Sequence, residues 1–181
     1  MRGKFNPVTT TTGGVTTPVA AVQFPGFQEI FDFTSAGGEA SVTATVASDT
    51  DKEYIIYQYG VEATNLQVRF NADTGNNYGF QDIENNSGTI SAARGATSKI
   101  YGRLASGKAG GFIHIIAPTG LIKTAFSMDC GYTSGTTMGS FYIVGGSWNN
   151  TAQITAITIL PGTGTFSAGS RIVIYARRSQ S

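Results

Sequence analysis

Residues 148–175 constrain the fold more than any other part of the chain. They read as two β-strands rich in Ile, Val and Thr, separated by Pro161-Gly-Thr-Gly164 and a second turn of small residues. β-Branched side chains suit a pleated, half-buried surface better than a helix. The closing strand, residues 172–175, is apolar on both parities. Such a strand is expected between two neighbours rather than at a sheet edge. The segment carries no acid, His or Cys, so it is suited to closing a sheet rather than to chemistry.

The same pattern runs upstream. Alternation and β-branched or aromatic content predict strands at 27–33, 41–47, 53–59, 65–70, 99–104, 112–117, 121–128 and 138–144. Asp73-Thr-Gly-Asn-Asn77 is a turn, and Ala117-Pro-Thr-Gly120 joins a hairpin. The polar stretch 82–97 has only Ile83 and Ile90 as strongly apolar residues. It reads as a long loop crossing between sheets and facing a partner. Ala152, Ile154 and Ala156 share one parity and Ile157 and Ile159 the other, which calls for burial of both faces or a β-bulge near 155–157. No apolar run repeats with helical period. The expectation is an all-β, jelly-roll-like antiparallel β-sandwich over residues 24–181, preceded by an extended arm over residues 1–23.

Composition narrows the function. The chain of 181 residues suits one domain plus an arm. Only 13% of it is charged, against about 25% in ordinary domains, and it holds 24 Gly. A neutral, hydroxyl-rich surface suits a protein embedded in an assembly, because few charges need desolvating when partners dock. The net charge of +1 argues against a large nucleic-acid footprint. The single cysteine, Cys130, excludes a disulfide within the chain and reads as a small buried residue at a strand end. Residues 1–30 hold no apolar run of signal-peptide length, and no window has the ~18–20 apolar residues of a membrane span. The expected course is synthesis in a cytoplasm, then assembly, with no membrane.

In the arm, Thr-rich low complexity is interrupted by Phe5, Val8, Val15, Pro18, Val19 and Val22. These are the candidate partner-binding residues of a strand laid on another surface. For catalysis the chain offers His114, Cys130 and 11 carboxylates. His114 sits at the centre of Phe-Ile-His-Ile-Ile and reads as a sheet histidine. No nucleophile elbow, zinc spacing or phosphate loop is present. The acidic turns Asp49/Asp51/Glu53 and Asp73/Asn76/Asn77 supply too few oxygens for calcium and read as hydrogen-bonded turns. Aromatic rings flanked by amides form a sugar-binding pattern, which makes Tyr78, Trp148, Asn149 and Asn150 the candidate ligand residues and a glycan the candidate ligand. The chain is read as a non-enzyme without cofactor or metal.

Two segments resemble a family of bacteriophage virion proteins of the tail-fibre-like or head-decoration type. The first is residues 66–78, Leu-Gln-Val-Arg-Phe-Asn-Ala-Asp-Thr-Gly-Asn-Asn-Tyr. The second is Trp148 with residues 152–159 and then 164–175, where Gly-Thr-Phe-Ser-Ala-Gly-Ser precedes the final apolar strand. Family members often end in Tyr-Gly, whereas here Tyr175 is followed by Ala-Arg-Arg-Ser-Gln-Ser. The resemblance implies a scaffold in a virion and leaves out the arm. The expectation is a self-associating virion protein, a homotrimer on the outside of the particle that contacts the major capsid or tail proteins. Its role would be capsid decoration or cement; the alternative is a tail-fibre or tail-associated receptor- or carbohydrate-binding module.

Overall fold

The computed structural model describes residues 26–46, 51–61, 66–86, 88–102, 109–134 and 137–178. The expected arm, and with it Phe5, Val8, Val15, Pro18, Val19 and Val22, lies outside the described residues. The described residues form twelve strands: β1 (Phe27–Thr34), β2 (Val42–Thr45), β3 (Asp51–Val61), β4 (Leu66–Phe70), β5 (Tyr78–Asn86), β6 (Thr89–Thr97), β7 (Ile100–Gly102), β8 (Ala109–Ile116), β9 (Lys123–Ser134), β10 (Thr137–Trp148), β11 (Ala156–Pro161) and β12 (Arg171–Arg178). The all-β sandwich is as expected.

Eight strands make one sheet in the order β1-β12-β3-β8-β9-β10-β5-β6, and four make the other, β2-β11-β4-β7. Every pairing is antiparallel. The chain passes back and forth between the sheets, except along β5–β6 and β8–β9–β10, which stay in the large one. The closing strand β12 lies between β1 and β3, as its two apolar parities require. Ile172, Ile174 and Ala176 are buried from one side, and Val173 is buried on the other.

The core lies between the sheets. Leu66, Val68, Phe70, Ile157 and Ile159 of the small sheet belong to the same buried cluster as Tyr54, Ile56, Ile113, Ile115, Ile172 and Ile174 of the large one. Two expectations need correction. Residues 82–97 are not a loop but most of the hairpin β5–β6, in continuous register from Tyr78↔Thr97 to Asn86↔Thr89. Hydrophobic pattern could not reveal β6, because it is exposed along nearly its whole length. The turn does carry a signal: Gly88 takes φ 91°, and its N–H donates to Asn85 Oδ1 at 3.0 Å. The parity change near 155–157 has a simple cause. The β11 strand begins only at Ala156, and Ile154 is buried from the irregular segment before it.

That segment is held by Asn71, in left-handed backbone at φ 52°. Its Oδ1 accepts from the N–H groups of Thr155 at 2.7 Å and Ala156 at 3.1 Å, and its Nδ2 donates to the Gln153 carbonyl at 2.6 Å. Beside it, Trp148 packs on Phe70 at 5.3 Å between ring centroids and stacks on Tyr78 at 6.2 Å. Truncating Trp148 to Ala is therefore expected to destabilise the fold by about 3–5 kcal/mol. Urea unfolding followed by circular dichroism checks this; a loss under about 1 kcal/mol would show that the ring is not a core element.

Candidate interaction surface

The proposed sugar platform is built into the core. Trp148 and Tyr78 are each 1% exposed, so neither ring presents a face to a ligand. The Trp148 Nε1–H donates to Asp73 Oδ2 at 2.7 Å, and the Tyr78 hydroxyl accepts from the Phe70 N–H at 2.9 Å. Burial pushes the Tyr78 hydroxyl up to about 12. Asp73 also accepts from the Gly75 N–H and the Asn77 amide. Its carboxyl is held below the ordinary range, chiefly by the indole and then by these donors. The 73–77 turn is thus hydrogen-bonded, as expected. Asn149 is exposed and Asn150 half-buried. The Asn150 side-chain Oδ1 accepts from the Ala152 N–H at 2.8 Å. Of the other acidic turn, Asp49 lies outside the described residues, while Glu53 pairs with Arg177. Among the described residues no three His, Cys, Asp or Glu side chains group to hold a metal ion.

The outer face of the large sheet is the unusual surface. Alternation along each strand sends one set of side chains to the core and the other outward. Val173, Tyr57, Phe112, Met128, Ile143 and Ile83 are successive register partners across six strands. Five of these six side chains are at least partly open to solvent, with Ile83 52% and Met128 39% exposed. Phe126, Ile116 and Tyr59 extend the row and are exposed as well. The rings contact one another: Tyr175 meets Tyr57 edge-on at 5.9 Å, Tyr57 meets Phe112 at 6.3 Å, and Phe112 meets Phe126 at 6.3 Å. Contiguous apolar surface of this kind makes the face a candidate interaction surface.

His114 lies in this face between Ile55 and Phe126, with its Nε2 3.5 Å from Glu53 Oε2. It lies in a strand, as the sequence suggested, but it is not the satisfied sheet histidine expected, for its Nε2 is buried without a hydrogen-bond partner among the described residues. Cys130 is exposed rather than buried. Its alternation with inward-facing Asp129 places it outward, so parity outweighs the usual preference of a free thiol for the interior.

Behind this face sits a buried polar group that sequence reading missed. Gln58 (0% exposed) donates through Nε2 to Asp129 Oδ1 (Asp129 1% exposed), and Ser127 is buried next to them. Gly111 makes the room, since a Cβ there would fall 2.0 Å from Asp129 Oδ1. Gln58 Oε1 and Asp129 Oδ2 find no donor. Burial pushes the Asp129 carboxyl up to about 7, against the opposing pull of Gln58 and Ser127. Protonation turns one of two orphaned acceptors into a donor. Lys123 is also buried, and its ammonium donates to the carbonyls of Pro118, Leu121 and Thr151 at 3.0, 2.5 and 3.2 Å. Desolvation lowers its pKa. It ties the β8–β9 turn to the segment before β11.

Compared with known proteins, the chain matches no family model and no curated protein.

The Asp129 arrangement fixes the sign of a pH effect. Between the unfolded value, ~3.9, and the folded value, about 7, the native state holds a proton that the unfolded chain has lost. Stability falls as pH rises through this window, by up to roughly 4 kcal/mol, and levels off above it. Asp129→Asn is expected to flatten that slope and raise the melting temperature at pH 8. Thermal melts of both proteins from pH 4 to 8 decide it; parallel curves would contradict the assignment.

Proposed function

We propose that this chain is a non-enzymatic structural protein of a bacteriophage particle, self-associating and attached to the outside of the capsid as a decoration or cement protein. The observation that carries the reading is the bare apolar outer face of the large sheet. Buried against another protein, each Å² of that surface contributes about 25 cal/mol before the costs of association. Strand order supports the reading. With β5–β6 and β9–β10 set aside, the sheets run β1-β12-β3-β8 and β2-β11-β4-β7, the order of an eight-stranded jelly roll, a fold frequent in capsid proteins. Low charge and the resemblance of the closing strands point the same way.

The arm, residues 1–23, would add a strand to a neighbouring capsid protein, where main-chain hydrogen bonds give attachment that tolerates sequence change. Weak sites repeated over a particle sum through multivalency. The receptor- or carbohydrate-binding alternative rested on Tyr78 and Trp148, and burial removes that platform.

Antibody raised against the purified chain is expected to decorate phage particles at regular positions in electron micrographs. Removing residues 1–22 is expected to leave the thermal transition in place and to lower particle occupancy at least tenfold, roughly the low end of multivalent gains. Particles that bear no label, or full occupancy by the truncated protein, would refute the placement or the arm respectively.

A further inference from the structure

We infer that the outer face of the large sheet docks on the same face of a second copy, about a two-fold axis parallel to the strands and passing between β8 and β9. This deepens the self-association proposed above and rests on it. Three features of the face support it.

The first is an unnecessary glycine. Gly145 lies mid-strand in β10, opposite Phe126 and Gln81, and its φ is not in the left-handed region. A Cβ added there would come no closer than 3.9 Å to any neighbour. Nothing within the described chain demands glycine, which weakens a strand interior and often marks the close approach of another body. The second is size matching. The half of the face on β12, β3 and β8 is bulky, with Tyr175, Ile55, Tyr57 and Phe112; the other half dips at Gly145. The two-fold sets Ile55 over the partner copy's glycine and Phe112 over its methionine, a favourable sulfur–aromatic contact.

The third is charge. One register row crosses all eight strands, from Glu29 on β1 through Tyr175, Ile55, His114, Phe126, Gly145 and Gln81 to Arg94 on β6. Among the described residues neither Glu29 nor Arg94 makes an ion pair. They lie seven strand spacings apart, about 34 Å. Reversing the row about the proposed axis brings each over its opposite, twice per dimer. Rotation about the perpendicular in-plane axis would instead set like over like. Three register rows across six strands, of which the row from Val173 to Ile83 is apolar throughout, span on the order of 600 Å² per copy, the low end of a stable interface. A self-complementary patch of this kind closes at two copies, whereas the sequence led to the expectation of a trimer.

Light scattering coupled to size exclusion measures the full chain, Met128→Glu and the charge variants Arg94→Glu and Glu29→Arg/Arg94→Glu. The wild-type chain is expected to be a dimer and Met128→Glu a monomer with an unchanged circular dichroism spectrum. Arg94→Glu is expected to weaken the dimer about tenfold at low salt, and the double reversal to restore it. Because charge reversal is read at the exposed rim, the result stands even if Met128→Glu fails to fold. Cys130, the only thiol, lies near the axis, roughly 11 Å from its counterpart at ordinary sheet spacings. A bis-maleimide of that span should link two chains. A wild-type monomer, a trimer, an oligomer indifferent to both charge variants, or no cross-link would overturn the proposal. Particle labelling that succeeds beside an unaffected oligomer would sink this contact alone; a dimer dissolved by Met128→Glu beside unlabelled particles would sink the virion reading alone.

Discussion

The insertion of β12 between β1 and β3 is the constraint on which the rest of the structure depends. Its two parities serve different surfaces. Ile172, Ile174 and Ala176 close the interior against the small sheet, while Val173 and Tyr175 begin the apolar row on the opposite face. A strand buried on one face alone would alternate with polar residues, and the outer face would then begin with a hydrophilic strand. The Ile-Val-Ile-Tyr run therefore commits the protein to a closed core and to an apolar exterior together.

The sheets are unequal, and the inequality comes from the two hairpins that widen one of them. Four strands of the small sheet pack on the larger one of eight. Interior residues of the large sheet are partly polar: Gln58, Ser127 and Asp129 are buried there beside Ile56 and Ile113. Buried polar groups of this kind lower stability unless satisfied, and the raised Asp129 carboxyl is the chemical answer to incomplete satisfaction. Lys123 shows the opposite solution, since three carbonyls surround its ammonium and no carboxylate is needed.

Much of this fold was legible in the sequence. β-Branched alternation located the central strands, and the double apolar parity of residues 172–175 foretold an inserted strand. The hairpin β5–β6 was not legible by the same route, because Ser91, Ala92, Ala93 and Gly95 have no buried face to write a pattern on. Its strand pairing is set by backbone bonds to β10, and only Asn85 and Gly88 announced the turn. The aromatic residues were found but given the wrong side. Composition cannot say whether Trp148 faces solvent, and its partner Asp73 lies 75 positions away. The apolar outer face was equally hidden, for it emerges when residues from six separate strands fall into one register.

Self-association through the outer face requires that this face be covered when the protein assembles. Hydroxyl-radical footprinting across a dilution series reads this directly, because Met128 and Phe126 oxidise readily when wet. Their oxidation should drop as concentration rises, while that of Leu121, on the β8–β9 turn, stays level. Equal oxidation of Met128 at every concentration would contradict the account.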